Sequence, residues 1–195
     1  MASEAEDSGG RRWSRWRIAG WSIPALLLLL PLVAMRFTEE VNWTASDFIF
    51  AGVLFGSVGL AFEFIVRRSE SLACRFGAAL AVVAAFLTIW INGAVGMIGS
   101  EGNPYNLLFG GVLLVALIGA ILARLEPAGM TRAMIVTAIA QAAIGAFGLS
   151  TDPRGAVLSI GFAGLWLLAA ALFWSAAREQ AAAGEKWRPR QDSNL

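Results

Sequence analysis

Polar side chains that could bind a ligand gather between two apolar segments, in the stretch from residue 92 to residue 106. Asn92 precedes a glycine-rich run, and Glu101, Asn103 and Asn106 follow that run. Carboxylate and amide oxygens bind cations and polar head groups, and glycines let a ligand or another backbone come close. One hypothesis is a small polar pocket in which Glu101 binds such a ligand. The alternative is helix capping by Asn103 with hydrogen bonds between helices.

Three further polar residues lie within apolar segments or at their ends: Asp47, Glu63 and Gln141. An acidic group inside such a segment often serves proton or ion movement, but Arg67 follows Glu63 by one helical turn and favours an ion pair. Asp47 follows Thr44 at capping-box spacing, so each can satisfy an N–H of the first helical turn. Gln141 either bonds to a neighbouring helix or lines a polar path.

The residue types present exclude several kinds of catalysis. The chain has no histidine and a single cysteine, Cys74, which excludes histidine-ligated haem, zinc-protease motifs, serine–histidine chemistry and an intramolecular disulfide. Asp47 and Glu63 are about 24 Å apart if they share a helix, too far for a carboxylate pair. We predict no catalytic residue, metal site or cofactor. An enzyme acting on lipids is a weaker alternative, because Glu101 and Asp152 lack a partner base.

The composition indicates that much of the chain is surrounded by lipid rather than water. The chain is 57% hydrophobic with a mean hydropathy of +0.65, and its apolar residues fall in blocks of about 17–23, the length that crosses a bilayer as a helix. Backbone groups in hydrocarbon must be bonded internally, which requires helices. We therefore predict an all-α integral membrane six-helix bundle. The net charge of +1 gives no basic field for nucleic acid.

The predicted elements are six membrane spans with polar ends. The spans cover about 18–37, 45–66, 76–98, 104–125, 130–149 and 153–177. Residues 1–17 are predicted to be a disordered, basic N-terminal segment, and 178–195 a disordered tail. Asn103-Pro104 and Asp152-Pro153 each combine a capping residue with proline at the first helical position, which is typical of a helix start.

Positive charge predicts the orientation of the spans. Short cytoplasmic loops collect Lys and Arg, and six spans with both termini inside place all but Arg36 and Arg154 in the cytoplasm. The inner set is Arg11, Arg12, Arg15, Arg17, Arg67, Arg68, Arg75, Arg124, Arg132, Arg178, Lys186, Arg188 and Arg190. A five-span alternative without 130–149 would put the basic tail outside and is disfavoured.

The first span has a rival interpretation as a signal peptide. Arg11-Arg12 is typical of a twin-arginine signal, but no small-x-small cleavage site follows Met35. We therefore expect an uncleaved first span.

Small residues on the second span predict helix association. Gly52 and Gly56 form a Gly-x-x-x-Gly pair, with Gly59 one turn further on. Such a face lets helices approach closely. The expected partners are the lipid bilayer and a second copy of the chain through Gly52 and Gly56, with no nucleic acid.

Two stretches, 42–63 and 90–106, resemble a group of small bacterial multi-pass inner-membrane proteins that has no assigned activity. The matching residues are Asn42, Trp43, Asp47, Phe48, Gly52, Gly59, Glu63, Trp90, Asn92, Ala94, Val95, Gly96, Ile98, Gly99, Ser100, Glu101, Asn103 and Pro104. The likeness extends over the first five spans. It implies a place in a bacterial inner membrane and no mechanism.

Two functional hypotheses follow from these patterns. The leading one is a non-enzymatic structural or accessory membrane protein, since the sequence carries neither a nucleotide motif nor histidine. The second is a small transporter or ion-handling protein in which Asp47, Glu63, Asn92 and Gln141 line a polar path.

Overall fold

A computed structural model describes residues 21–22, 25–69 and 71–186. All regular structure in these ranges is helical, without a β-strand, which confirms the all-α prediction for this part of the chain. The helices are α1 (Ala25–Ala34), α2 (Ala45–Arg68), α3 (Leu72–Ala94), a short 3-10 helix (Pro104–Leu107), α4 (Leu108–Leu122), α5 (Pro127–Gly148) and α6 (Pro153–Lys186). The predicted N-terminal segment 1–17 lies outside the described residues.

Within the described part of the chain, five helical stretches are long and apolar enough to cross a membrane. They are Ala45–Ile65, Leu72–Ala94, Pro104–Leu122, Pro127–Gly148 and Pro153–Glu185. Large apolar side chains point away from the protein along them; Leu114, Leu117 and Ile118 on α4 are all more than half exposed. These features indicate a helical membrane protein. In the predicted first span the described helix α1 is shorter, and residues 18–20 and 23–24 lie outside the described part.

The described chain forms two compact units, the first of which ends at residue 64. In this first unit, a Cβ added to Gly52 would lie 3.9 Å from Leu28, and one added to Gly59 would lie 3.1 Å from the indole of Trp21. Two glycines of the predicted small-residue face therefore receive side chains from the first apolar segment. Gly56 has open space.

The second unit, from residue 65, packs α3, α4, α5 and α6 through small residues. A Cβ at Gly145 would lie 3.0 Å from the carbonyl oxygen of Ala156, which shows how closely α5 approaches α6. A Cβ at Gly77 would lie 3.2 Å from Leu172, on the α3–α6 contact. Glycine at these positions permits close backbone approach, as is common between membrane helices.

The core of the second unit contains two groups of buried side chains. The larger group is Cys74, Ala84, Met130, Ala133, Met134, Ala138, Ala163, Trp166, Ala169, Ala170, Phe173 and Ala176, and the smaller is Met97, Ile98, Phe109, Val112 and Phe162. The best 18-residue window of α5 is 39% buried in the protein, against 22% for α3 and for the α4 span. The corresponding window of α6 is 44% buried, so α5 and α6 supply most of the interior of this unit.

The end of α3 differs from the prediction. The third span was expected over 76–98, but α3 covers Leu72–Ala94. It begins earlier because Ser71 caps it, accepting a hydrogen bond from the N–H of Cys74 at 3.3 Å. It ends earlier because Gly96 has a φ of +75°, a left-handed conformation that stops a helix.

Helices α4 and α6 also differ from the predicted spans. The expected span 104–125 begins with the 3-10 turn and ends at Leu122, because Arg124 and Leu125 have φ values of 50° and 62° before Pro127. Helix α6 continues to Lys186, whereas the tail was predicted to be disordered from residue 178. The alanines at 181–183 are strong helix formers, which accounts for the extension. Residues 187–195 lie outside the described part.

Candidate functional site

The loop that joins α3 to the 3-10 helix, residues 95–103, is held by the side chain of Asn106. Its Oδ1 accepts a hydrogen bond from the N–H of Ile98 at 2.9 Å, and its Nδ2 donates to the carbonyl of Ser100 at 2.8 Å. Asn106 is only 8% exposed. Both ends of this amide therefore bond the backbone of loop 95–103, and the side chain is not presented to a ligand.

Asn103 also uses both ends of its amide inside the loop. Its Oδ1 accepts from the N–H of Tyr105 at 3.1 Å, and its Nδ2 donates to the carbonyl of Ile98 at 3.1 Å. The predicted capping role is confirmed, although the helix that Asn103 caps is the 3-10 turn rather than α4 itself. Glu101 lies exposed in the adjoining turn.

Glycine is required at two positions of this loop. Gly96 and Gly99 have φ values of +75° and +73°, which side-chain-bearing residues rarely adopt. A Cβ at Gly96 would also lie 2.5 Å from the carbonyl oxygen of Ser100 and 2.6 Å from Nδ2 of Asn106. The prediction that these glycines allow another backbone to come close agrees with this geometry.

Asp152 ties loop 95–103 to the start of α6. Its Oδ2 accepts from the N–H of Gly99 at 2.8 Å, and its Oδ1 accepts from Gly155 at 3.0 Å and Arg154 at 3.1 Å. The backbone hydrogen bonds from Gly155 and then Gly99 hold the pKa of Asp152 below its usual value. The predicted cap of α6 is confirmed, and its second oxygen also binds the neighbouring loop.

Two further contacts close the same end of the second unit. The hydroxyl of Tyr105 donates to the carbonyl of Ile144 on α5 at 3.2 Å. The carbonyl oxygen of Met97 lies so close to Gly155 that a Cβ there would collide with it. Protein atoms thus bond both ends of the Asn103 and Asn106 amides, two of the four polar groups that the sequence placed in a pocket at this end.

Asn92 does not join the loop amides through a hydrogen bond. It lies half-buried on α3, where its Nδ2 donates to the carbonyl of Thr88 at 2.7 Å. Its Oδ1 is buried and has no hydrogen-bond partner among the described residues. The predicted grouping of Asn92 with Asn103 and Asn106 is therefore not formed by direct contact.

Gln141 lies fully buried between α5 and α6. Its Nε2 is 3.4 Å from Oγ of Ser159 and 3.6 Å from Sδ of Met97, and Ser159 in turn donates to the carbonyl of Gln141 at 3.1 Å. Its Oε1 has no partner among the described residues. Exchanging the amide oxygen and nitrogen would leave the nitrogen unpaired instead, and an unpaired buried polar group costs about 1–3 kcal/mol.

Gln141 belongs to a set of neutral polar side chains in the core of the second unit, which we call the buried polar seam. The seam consists of Thr88, Thr137, Gln141, Ser159 and Trp166, none more than 1% exposed. The hydroxyls of Thr88 and Thr137 donate to carbonyls of their own helices, at Ala84 and Ala133. Nε1 of Trp166 has no hydrogen-bond partner among the described residues.

Sequence reasoning missed Ser159 and Trp166. One signal was available for Trp166, which stands thirteen residues into α6, far from both interfaces where tryptophan is usually enriched in membrane helices. Ser159 gave no signal, because a single serine in a membrane span is ordinary.

The two acidic candidates of α2 lie in the first unit. Oδ2 of Asp47 accepts from both the backbone N–H and the hydroxyl of Thr44 at 2.7 Å. Half of the predicted capping box is therefore present, but the Thr44 hydroxyl donates to the carboxylate instead of accepting an N–H. Glu63 is half-buried, and its ion pair with Arg67 stays a prediction.

The described residues offer no obvious metal centre. Within 21–22, 25–69 and 71–186, no three acidic or cysteine side chains come together in a group that could hold a metal ion.

Comparison with known proteins gives no relative from which a function could be transferred to this chain. The chain matches no family model, no curated protein and no solved structure.

Proposed function

We propose that this chain is a six-span, non-enzymatic protein of the bacterial inner membrane with a structural or accessory role. One observation carries the proposal: at the end of the second unit where a pocket was expected, the side chains of Asn103, Asn106 and Asp152 bond the protein's own backbone. A ligand site would need some of these donors and acceptors to be open to a ligand.

The course of the helices in the second unit supports alternating spans. The bond from Gly99 to Asp152 joins the end of α3 to the start of α6, and the bond from Ser71 Oγ to Glu179, at 3.0 Å, joins the opposite ends of the same helices. Six spans in this order place both termini on the side of Ser71 and Glu179. The arginines expected on that side are Arg67, Arg68, Arg75, Arg124, Arg132 and Arg178, which supports a cytoplasmic location.

The resemblance to bacterial inner-membrane proteins fits the same proposal. Its longer motif coincides with loop 95–103, where Gly96 and Gly99 supply the left-handed backbone and Asn103 caps the following turn. We propose that the motif encodes this loop and that the group shares it. The motif then has a structural meaning and implies no substrate.

Reconstitution tests the structural role against transport of ions. Purified protein in proteoliposomes is expected to carry K⁺, Na⁺, H⁺ and Cl⁻ no faster than empty liposomes, because the seam is neutral and the loop is closed. Ion flux that Glu63→Gln abolishes, and that a Glu185→Gln control on the exposed end of α6 leaves intact, would overturn the proposal in favour of an ion-handling protein.

Transport of a neutral solute is the second candidate function. The observation in its favour is the unpaired Oε1 of Gln141 at a depth where polar groups are costly. Uptake of glycerol or urea, measured by light scattering of the same proteoliposomes, would support it if Gln141→Met removed the uptake. Gln180→Met on the exposed part of α6 is the matched control.

A further inference from the structure

We propose that the buried polar seam binds a small uncharged molecule that both donates and accepts hydrogen bonds, either water or a neutral solute of the same chemistry. The proposal goes beyond a structural or accessory role, because it assigns a ligand to the core of the second unit. It does not require that the ligand crosses the membrane.

The first step is the unused hydrogen-bonding capacity of the seam. Among the residues that the structure describes, Oε1 of Gln141 has no donor and Nε1 of Trp166 has no acceptor, and both residues are at most 1% exposed. Each group is costly when buried alone. A molecule that both donates and accepts hydrogen bonds can satisfy either group.

The second step is that the two groups belong to one stretch of the α5–α6 contact. Gln141 bonds Ser159, and Gly145 lies against Ala156, so the two helices run in opposite directions. Continuing this register places Trp166 at the level of residue 134, about two turns from Gln141 toward the start of α5. Side chains on a helix lean toward its N-terminus, and in antiparallel helices Gln141 and Trp166 therefore lean toward each other along the seam.

The third step is the chemical class of the ligand. The seam holds an amide, three hydroxyls and an indole, none of which is charged. An ion there would be desolvated without an opposite charge, at a large cost in free energy. The hydroxyl protons of Thr88 and Thr137 are already donated to backbone carbonyls, so their oxygens remain as further acceptors. A neutral molecule with its own O–H or N–H groups fits this set.

The test reads the Trp166 indole directly. The full chain, labelled with ¹⁵N at tryptophan, is placed in lipid nanodiscs, and the Trp166 signal is assigned with Trp166→Phe. Trp174→Phe assigns a control indole that is 56% exposed on the same helix. We expect the Trp166 indole proton to resonate where hydrogen-bonded indoles do and to exchange magnetisation with water. Gln141→Met is expected to shift this signal and weaken the exchange.

The experiment distinguishes three cases: bound water, a bound neutral solute, and no bound ligand. Exchange with water identifies water in the seam. A shift of the Trp166 signal that saturates on adding glycerol or urea, without exchange with water, identifies a neutral solute. A Trp166 signal typical of an unbonded indole, unchanged by these solutes and by Gln141→Met, would overturn the proposal. If Trp166→Phe folds poorly, substituting phenylalanine for each of the other tryptophans assigns the Trp166 signal by elimination.

Discussion

Loop 95–103 is held by a buried side-chain amide and the buried polar seam contains another, but the two amides differ in how many hydrogen bonds they make. In the loop, both ends of the Asn106 amide bond the backbone within 2.9 Å. In the seam, the Gln141 amide makes only long contacts through its nitrogen, and its oxygen is unpaired. A polar residue in a membrane protein is therefore not a site merely because it is polar; what matters is the hydrogen-bonding capacity that the fold leaves unused.

The difference follows from local backbone geometry. The left-handed turns at Gly96 and Gly99 direct the backbone groups of residues 98–100 toward the amides of Asn103 and Asn106. The helices of the seam already pair their own backbone groups. Gln141 is therefore limited to the few side chains opposite it, such as Ser159 and Met97.

The largest expected effect is at Gly96. Gly96→Ala forces a side chain into a left-handed conformation and against the carbonyl of Ser100, and we expect a loss of about 3 kcal/mol in the free energy of unfolding. Gly102→Ala in the same loop has open space around it and is the control, with a change of less than about 0.5 kcal/mol. Denaturation in detergent micelles measures the stability of both variants. Equal stability would contradict the requirement for glycine at position 96.

A smaller effect is expected from removing the loop amide. Asn106→Leu leaves the N–H of buried Ile98 without its acceptor, so unfolding should become easier by about 2 kcal/mol. Asn92→Leu removes an amide whose oxygen is already unpaired and should cost less than about 1 kcal/mol. A larger loss for Asn92→Leu than for Asn106→Leu would mean that the two amides have been assigned the wrong roles.

The seam amide should contribute less than the loop amide. Gln141→Met gives up contacts at 3.4 and 3.6 Å and the hydrogen bond to the proposed ligand of the seam, but it no longer buries a polar amide, so we expect a change below about 1 kcal/mol. Thermal unfolding in the same detergent provides the measurement. Destabilisation as great as that of Asn106→Leu would show that Gln141 is a structural contact after all.

The smallest effect is a dependence on pH through Asp152. Since hydrogen bonds from Gly155 and Gly99 lower its folded-state pKa, the carboxylate stabilises the fold above the unfolded aspartate pKa of about 3.9. That contribution is lost as the pH falls through the lowered value. Asp152→Asn should be less stable than wild type at pH 7, and the difference should shrink below about pH 4. If the difference in stability between wild type and Asp152→Asn stayed constant on acidification, this role of Asp152 would be excluded.

Much of the fold could be predicted from the sequence, because proline and capping residues mark helix starts. Pro153 begins α6 as predicted, and the apolar blocks have membrane length. Helix α5 begins at Pro127, whereas the fifth span was predicted to begin at about 130. The end of α3 was placed too late, because Met97 and Ile98 are as apolar as a helix interior. They are instead buried in the loop, which only the backbone conformation of Gly96 reveals.

The candidate site was predicted less completely. The cap at Asn103 has a local signature, so it was found. The bond from Asp152 to Gly99 joins residues far apart in the sequence, and no local pattern encodes it. Gln141 was recognised by its chemistry, but its unpaired oxygen and the neighbouring Trp166 depend on the packing of α5 against α6.

Both regions depend on where the membrane lies, and cysteine labelling tests this most directly. In a Cys74→Ser background, Gly102→Cys and Ala128→Cys each add one thiol at an exposed position, the first in loop 95–103 and the second in the first turn of α5. A membrane-impermeant maleimide applied to spheroplasts should label Gly102→Cys in intact cells and Ala128→Cys only after lysis. Labelling of both in intact cells, or the reverse pattern, would contradict a loop at the outer face and a seam within the bilayer.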